Sequence, residues 1–308
     1  PLEGAYRGYS IVTAPPPSTG GVGLLQMMGV LEKSGYEKFG HGSAATIHWL
    51  AETMRRYYAD RGQHLGDPDF VKIPVRGLIS KAYTDQLRAL IDPAKATPST
   101  SVRAGNPAPY ESTETTHFSI VDEEGNAVAL TYTLNGGYGS GVTVPRLGFL
   151  MNNEMDDFAA KPGSPNMFGL IEGEANAIAP GKRMNSSMTP TIVLKDGQLF
   201  LVIGAPGGSR IITGVMQAIL NVIDFGMNVQ DAVDAPRIHH QWQPDRLYTE
   251  RGVSPDTVDL LRQKGHTVET NTFGVARVEA IQIETTPEGR RRLAGGSDGR
   301  ADGKAAGY

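Results

Sequence analysis

The stretch ETTHFSIVDEEGNAVALTYTLNGGYG, residues Glu114 to Gly139, marks the point at which the sequence pattern changes. Two threonines and a histidine come directly before a run in which apolar and polar residues alternate. A Gly-Asn pair at Gly125 and Asn126 divides this run in two, which is typical of a β-hairpin. The stretch therefore predicts two paired strands with three reactive side chains at their beginning.

The first two of these side chains, Thr115 and Thr116, raise the question of a hydroxyl nucleophile. A threonine hydroxyl needs a base to take its proton. One such base is the residue's own α-amino group, which is free only when the chain is cut just before it. The alternative is that both are ordinary β-branched strand residues, and spacing by itself favours this alternative. His117 fits a structural role, because no Asp and Ser are spaced to complete a triad with it.

The composition excludes several classes of protein. The 308 residues carry a net charge of -4, so the chain has no overall basic charge that would attract nucleic acid. The chain contains no cysteine, which excludes disulfides, thiol catalysis and cysteine metal sites. No apolar run approaches the roughly 18 residues that a membrane-spanning helix needs. We therefore expect neither nucleic acid nor a membrane as a partner.

Periodicity predicts helices before Glu114 and a mixture of hairpins and helices after it. In the first part, helices are predicted at 23–35, 44–58 and 81–92, and an exposed linker rich in proline, serine and threonine at 93–112. In the second part, hairpins are predicted at 191–204 and 278–298, and helices at 209–226, 229–236 and 254–265. Hairpins that alternate with helices favour an α+β fold, in which antiparallel sheets are covered by helices.

The segment APGGSRIITG, Ala205 to Gly214, follows a predicted strand and opens a predicted helix. Two glycines here can direct neighbouring backbone N–H groups toward one point, at the positive end of a helix dipole. Such a pair would suit an oxyanion hole. The alternative is a simple tight turn between strand and helix. The segment lacks the lysine of a phosphate-binding loop and the spacing of a dinucleotide fingerprint.

Three further groups of polar residues have a functional and a structural interpretation. NNEMDDF, Asn152 to Phe158, could bind a metal or another cation, or it could be a solvated acidic turn. RMNSSMTPT, Arg183 to Thr191, offers paired hydroxyls that could hold a carboxylate, or it is an ordinary loop. His239 and His240 could suggest a metal, but adjacent side chains diverge on a strand or a helix. We predict no metal and no cofactor.

Taken together, these segments resemble the γ-glutamyltransferases of the N-terminal-nucleophile hydrolase superfamily. The matching motifs extend over nearly the whole chain. They are PPPSTGG, YADRGQHLGDPDFVKIP, ETTHFSIVDEEGNAVALTYTLN, NNEMDDF, PGKRMNSSMTPTIV, GAPGGSRII, APRIHHQW and a final AGY. The resemblance implies a four-layer αββα sandwich that is matured by autocatalytic cleavage. Residues 1–114 would be the C-terminal part of the large-subunit region and 115–308 the small, catalytic subunit region, together forming one domain.

The resemblance also implies a role for individual residues. Cleavage between Glu114 and Thr115 would free Thr115 as the nucleophile, with its own amine as the base. Thr133 would hydrogen-bond at that amine. The other implied site residues are Gly207 and Gly208 for the oxyanion, Asn135, Glu154 and Asp157 for the substrate α-ammonium, and Ser186 and Ser187 for its α-carboxylate. The implied activity is transfer of a γ-glutamyl group from glutathione or related compounds to water, amino acids or peptides.

Two departures from the family pattern qualify these expectations. The family carries a longer N-terminal large-subunit region with an arginine for the substrate carboxylate, and Pro1 is expected to begin well inside it. That missing segment is thus an expected partner, and periplasmic or secreted localisation is inferred from the family. The second departure is Phe168, in the predicted lid 162–173, where bacterial relatives often have tyrosine. The contact between that tyrosine's hydroxyl and the residue at position 135, here Asn135, would be lost, so lid closure is expected to rely on packing.

Two other functions compete with γ-glutamyl transfer. A glutaryl-type cephalosporin acylase would share the fold, but its substrate has no α-ammonium. The acidic pair Glu154 and Asp157 therefore favours a glutamyl group over a glutaryl group. The other rival is a fragment or binding module that keeps the fold without maturation.

Overall fold

The structure is a computed structural model that describes residues 1–107, 118–271, 274–286 and 290–307. Glu114, Thr115, Thr116 and His117 lie outside these residues. The strands are β1 (Leu2–Tyr6), β2 (Tyr9–Thr13), β3 (Ser119–Val121), β4 (Ala127–Ala129), β5 (Thr191–Lys195), β6 (Gln198–Gly204), β7 (Ile238–His239), β8 (Leu247–Glu250), β9 (Val268–Asn271), β10 (Glu279–Thr285) and β11 (Arg291–Ser297). The α-helices are α1 (Gly20–Leu31), α2 (Ala44–His64), α3 (Val75–Leu78), α4 (Lys81–Ala89), α5 (Ile211–Ile223), α6 (Val229–Asp234) and α7 (Pro255–Gln263).

A six-stranded antiparallel sheet, in the order β1-β2-β5-β6-β10-β11, organises the fold. Its central hairpin, β5–β6, turns at Asp196 and Gly197, which both have positive φ, 50° and 75°. Two successive positive φ values match the turn that best fits the right-handed twist of paired strands. The predicted hairpin at 191–204 is therefore confirmed, and it places Gly204 at the strand end that leads to the Gly207–Gly208 turn.

The two faces of this sheet are covered differently. Because side chains alternate along a strand, Val193 and Leu201 point into the main core, where they are fully buried and join residues of α1 and α5. Ile192 and Leu194 point to the other face, where they line a groove together with Ala127 of β4. The hairpin β3–β4 thus lies against the opposite face of the large sheet. The described part of the chain is a mixed α/β fold with antiparallel sheets.

Several predicted elements are confirmed and several predictions are wrong. The hairpins predicted at 191–204 and 278–298 are present. The helices predicted at 209–226, 229–236 and 254–265 are also present and are a few residues shorter. The helices predicted at 23–35, 44–58 and 81–92 are present as α1, α2 and α4, but the β1–β2 hairpin that precedes them was not predicted. A small sheet of β7, β8 and β9 was not predicted either, since its strands are only two to four residues long. None of the described helices is long and apolar enough to cross a membrane.

The prediction of an exposed linker at 93–112 is correct only in part for the residues that the structure describes, among which Lys95, Thr100 and Arg103 are exposed. Ala96, Ser99 and Val102 are buried, with Ser99 only 1% exposed. The serine and threonine side chains that suggested a solvated linker instead bond to charged groups on α2. Polar composition misled the prediction, because these polar groups meet buried partners that are distant in sequence.

Candidate active site

One cleft of about 100 Å3 gathers the site residues that were predicted from separate motifs. It lies where the loop after β4, the acidic segment and the turn after β6 come together. Of the predicted site residues, those that line it are Thr133, Asn135, Asp157, Ser186, Ser187, Gly207 and Gly208. Glu154 lies beside Asp157 on the same short 3-10 helix. Thr115 lies outside the described residues.

The Gly207–Gly208 turn forms one wall of the cleft. It connects β6 to a 3-10 turn at Gly208–Arg210, which continues directly into α5. Both glycines have positive φ, 149° and 59°, which residues with side chains rarely adopt. Within the described part of the chain, neither amide N–H donates a hydrogen bond. Two unpaired N–H groups at the positive end of a helix can accommodate a developing oxyanion.

The acidic wall is a short 3-10 helix, Glu154–Asp157. Burial, and then the neighbouring carboxylate of Glu154, raise the pKa of Asp157 to about 7. Burial also raises the pKa of Glu154, and its Oε1 atom is buried without a hydrogen-bond partner among the described residues. Two carboxylates that are poorly solvated and close together destabilise each other's charged form, and the Arg61 guanidinium offsets this only in part. A cationic group bound here would therefore be strongly favoured.

The hydroxyl wall is formed by Ser186 and Ser187, which precede β5. The backbone of Ser186 is fixed to the turn before α1, since its carbonyl accepts hydrogen bonds from the Thr19 amide and hydroxyl, both at 2.7 Å. The hydroxyl of Ser187 lies 3.5 Å from Nη2 of Arg61 on α2. Hydroxyl donors backed by a guanidinium suit a carboxylate better than hydroxyls alone. This wall therefore complements the acidic wall in charge.

Thr133 and Asn135 lie in the loop that follows β4. The hydroxyl of Thr133 accepts a hydrogen bond from the backbone N–H of Asn135 at 2.8 Å. Asn135 has φ of 70°, a conformation that asparagine tolerates better than most residues. Its side-chain amide donates to the carbonyl of Asn153 at 3.3 Å, next to the acidic helix. The loop is thereby tied to the acidic wall and presents both side chains to the cleft.

The predicted lid, residues 162–173, lies against the Gly207–Gly208 turn. The carbonyl of Phe168 accepts a hydrogen bond from Gln241 at 3.0 Å, and its side chain packs against the hydrophobic core. Gln241 in turn accepts from the hydroxyl of Ser209 at 3.0 Å. The lid position thus depends on ring packing and on backbone hydrogen bonds, as expected for a phenylalanine at this position.

Sequence reasoning missed the buried ion pair between Arg61 and Glu172. Glu172 ends the lid, and its second carboxylate oxygen accepts from Asn176 and, at 3.2 Å, from Asn185. Arg61 also donates to the hydroxyl of Thr19 at 3.1 Å. A signal was present in YADRGQHLGDP, where an arginine interrupts a helical pattern, but its partner lies 111 residues further along the chain.

The metal interpretation of the polar motifs finds no support in the described residues. Within them, no group of three or more His, Asp or Glu side chains could hold a metal ion. His239 bonds to Thr213 and Gln241, while His240 contacts Asp245. Both rings are fully buried, and burial lowers their pKa values, to about 3 and about 4. The two histidines are therefore neutral core residues that point to different partners.

Comparison with known proteins agrees with this geometry. A family described as gamma-glutamyltranspeptidase matches residues 1–308. A curated relative, the glutathione hydrolase proenzyme of Escherichia coli, is 50% identical over 309 residues, which cover 100% of this chain and 52% of the relative. This chain therefore spans about half the length of that relative.

Two solved structures show how the described elements compare with known folds. A threonine-to-alanine mutant of Helicobacter pylori gamma-glutamyltranspeptidase superposes with a TM-score of 0.58 at 51% identity, over 60% of this chain and 100% of that chain. A cephalosporin acylase from Bacillus halodurans superposes with a TM-score of 0.84 at 28% identity, over 100% of this chain and 53% of that chain. The match over all residues and the 50% identity show that the chain belongs to the gamma-glutamyltranspeptidase family.

Proposed function

We propose that the protein containing this chain transfers γ-glutamyl groups from glutathione and other γ-glutamyl compounds to water, amino acids or peptides. The observation that carries the proposal is the shared cleft. It unites two backbone N–H groups that have no acceptor among the described residues, a poorly solvated acidic pair and a pair of serine hydroxyls. Each group matches one part of a γ-glutamyl substrate that undergoes acyl transfer.

The two polar walls suit the amino-acid head of such a substrate. A zwitterion can be buried at low cost only when each of its charges meets an opposite charge or a full set of hydrogen bonds. Asn135, Glu154 and Asp157 would hold the α-ammonium, and the high pKa of Asp157 would fall when that cation binds. Ser186 and Ser187 would hold the α-carboxylate. The γ-carbonyl would then extend toward Gly207 and Gly208.

The chemistry requires one nucleophile and one base, and a freed Thr115 would supply both. Hydrolysis of the Glu114–Thr115 peptide bond consumes one water and leaves Thr115 with an α-amine. That amine would take the proton of the Thr115 hydroxyl as its oxygen attacks the γ-carbonyl. The Gly207 and Gly208 N–H groups would stabilise the oxyanion, and the amine would return the proton to the departing amino group. Water or an acceptor amine would then cleave the resulting ester.

Thr133 would position the nucleophile in this scheme. Its hydroxyl oxygen already accepts from the Asn135 amide, so the hydroxyl hydrogen is free to donate to an amine at Thr115. A hydroxyl donor would favour the neutral amine, which is the form that can act as a base. Thr133 would thus help to keep the amine at Thr115 unprotonated.

We further propose that the complete protein forms a four-layer αββα sandwich, to which residues 1–114 and 115–308 both contribute. Its remaining half would cover the exposed apolar side chains around β3, β4 and the following loops. These include Phe118, Ile120, Tyr132, Tyr138, Leu147 and Phe149, each at least half exposed. Such a concentration of apolar side chains is typical of a surface that another segment covers. Periplasmic or secreted localisation stays a prediction, which cell fractionation would test.

A glutaryl-type acylase is the second candidate, and the Bacillus halodurans acylase shows that its fold is compatible with this chain. A glutaryl group lacks the α-ammonium, so Glu154 and Asp157 would face it with unbalanced negative charge. We therefore expect the full-length protein to turn over a γ-glutamyl anilide at least about tenfold faster than a glutaryl anilide, because a charged hydrogen bond contributes about 1.5–3 kcal/mol. Preference for the glutaryl anilide would overturn this choice.

Intact-mass analysis tests maturation directly. The purified full-length protein should contain a fragment that begins at Thr115. If fully active protein stays as one uncut chain, the self-cleavage mechanism is wrong. If the chain stays uncut and inactive, the interpretation as an unprocessed binding module gains support.

A further inference from the structure

Helix α2 carries a row of polar side chains at four-residue intervals: His48, Glu52, Arg56, Asp60 and His64. Residues four apart are neighbours on successive turns, so each member lies beside the next, while the row winds around the helix by roughly 40° at each step. Together with the neighbouring Arg55, we call this row the polar stripe. All its members except His64 are buried, and His64 is half-buried. At 1.5 Å per residue, the stripe extends for roughly 24 Å along the helix.

Residues 92–105 follow the polar stripe in the same direction as the helix. Near its beginning, Nε2 of His48 lies 2.8 Å from the carbonyl oxygen of Asp92. Further along, Glu52 accepts from the backbone N–H of Thr97 at 3.2 Å, and Arg56 donates to the Thr97 hydroxyl at 3.2 Å. The segment therefore runs parallel to α2, because residues later in the segment contact residues later in the helix.

Ser99 has all three of its polar groups engaged. Its backbone N–H donates to Asp245 at 2.7 Å, and its carbonyl accepts from the indole N–H of Trp242 at 3.0 Å. Its hydroxyl accepts from Arg55 of the polar stripe at 2.5 Å. A fully bonded and buried residue of this kind fixes the chain at one point.

The last attachment is at Gly105. The Asp60 carboxylate accepts from the Gly105 N–H at 2.9 Å, and Nε2 of His64 lies 2.9 Å from the Gly105 carbonyl oxygen. The ring of Tyr83 closes the space beside it, since a Cβ on Gly105 would lie 2.6 Å from Cε2 of that ring. Tyr83 also donates to Asp60 at 2.8 Å. Both backbone polar groups of Gly105 are therefore hydrogen-bonded, and the Tyr83 ring leaves no room for a side chain at this position.

We propose that the polar stripe positions the chain that leads to the Glu114–Thr115 bond, so that this bond reaches the cleft quickly for self-cleavage. This inference rests on the proposed function, and it makes Asp60, His64 and Gly105 positioning residues. Gly105 is ten residues before Thr115, so the last of these attachments among the described residues is close in sequence to the bond that is cut. Buried charges are costly compared with an apolar core, and several of those in the stripe bond to this segment.

Loop statistics give the expected size of the effect. If the attachment at Gly105 is released, the preceding attachment is at Ser99, and the separation in sequence between the last attachment and Thr115 grows from ten to sixteen residues. Because the probability of closing a flexible loop falls with about the 3/2 power of its length, the cleavage rate should fall about twofold. Loss of orientation at Gly105 would add to this minimum.

The test measures the rate of self-cleavage in the full-length protein by intact-mass spectrometry. His64→Leu removes the ring nitrogen that contacts the Gly105 carbonyl, whereas His64→Gln keeps a donor. Gly105→Ala forces the chain away from Tyr83. Arg103→Ala is the matched control, because Arg103 lies in the same segment and, among the described residues, bonds only to the carbonyls of Thr100 and Val102. We expect His64→Leu and Gly105→Ala to cleave at least about twofold more slowly, and the other two to cleave normally.

Turnover of the matured variants separates positioning from a general structural role. Once cleavage is complete, kcat for a γ-glutamyl anilide should equal that of the unmodified protein in all four variants. Cleavage at the normal rate in both His64→Leu and Gly105→Ala would overturn the proposal while leaving the proposed function intact. A parallel fall in kcat and cleavage rate would also overturn it. If the unmodified protein neither cleaves nor turns over substrate, the proposed function fails, and this inference fails with it.

Discussion

The aromatic ring of Phe168 lies directly over the backbone of Gly208. A Cβ atom on Gly208 would lie 2.5 Å from Cε1 of that ring. The predicted lid and the turn that presents the proposed oxyanion N–H groups are therefore in contact, and each limits the shape of the other. This contact explains why a glycine is needed at this position even apart from its φ of 59°.

Gly208→Ala should reduce kcat about 100-fold or more, because the added carbon would clash with Phe168 and displace an N–H group that stabilises the oxyanion. Steady-state kinetics of the matured protein with a γ-glutamyl anilide would measure this. Gly137→Ala is the matched control, since a Cβ at Gly137 would meet no other atom within 4 Å. Equal activity of the two variants would argue against a role for the Gly208 N–H.

Thr115→Ala should abolish both self-cleavage and turnover, whereas Thr115→Ser should retain part of each, because only serine keeps a hydroxyl nucleophile. Intact mass and anilide turnover would report the two activities separately. If both variants lose them to the same extent, a hydroxyl of this residue is not the nucleophile.

Substrate affinity should depend on pH through Asp157. Burial and the Glu154 carboxylate raise the Asp157 pKa to about 7, so this group becomes neutral as the pH falls below 7. We expect KM for a γ-glutamyl anilide to be about tenfold higher at pH 6, where about one-tenth of the Asp157 side chains remain ionised, than at pH 8, where about nine-tenths are ionised. Asp157→Asn should show a high KM at every pH and lack this dependence. An unchanged pH profile in Asp157→Asn would assign the titration to another group.

The same carboxylate should make stability depend on pH in a defined direction. Its pKa is higher in the folded protein than in the unfolded chain, so the folded state holds more protons between about pH 4 and pH 7. The contribution of Asp157 to stability therefore falls as the pH rises through that window. The Tm of Asp157→Asn minus the Tm of the unmodified protein should therefore be more positive at pH 8 than at pH 4. A Tm difference that is constant over this range would contradict the assignment.

Arg61→Met should lower the free energy of unfolding by about 3–5 kcal/mol, because it leaves the Glu172 carboxylate buried without its cation. Urea denaturation would measure the loss. The double variant Arg61→Met with Glu172→Gln should recover part of it, since no unpaired charge then remains. If the double variant is no more stable than Arg61→Met, the ion pair does not explain the loss.

The elements that were predicted correctly depend on interactions between residues that are close in sequence. The turn at Asp196–Gly197 and helix α5 depend on residues within one turn or one helix, so their periodicity and turn chemistry are visible in the sequence. The β1–β2 hairpin was missed although its strands are adjacent, because β2 is stabilised by pairing with β5, nearly 180 residues later. The linker prediction was wrong at Ser99 for the same reason, since Arg55, Asp245 and Trp242 bury this residue.

The sequence by itself determined the kinds of groups that the site contains. Its motifs place two glycines before a helix, paired serines before a strand and an acidic segment ahead of both in the sequence. Only the tertiary structure decided that these groups face one cleft, that Arg61 stands behind Ser187, and that Phe168 rests on Gly208. The physical reason is that burial and charge pairing act through space. A carboxylate such as Asp157 acquires its raised pKa only when the folded chain removes water from it and brings Glu154 close.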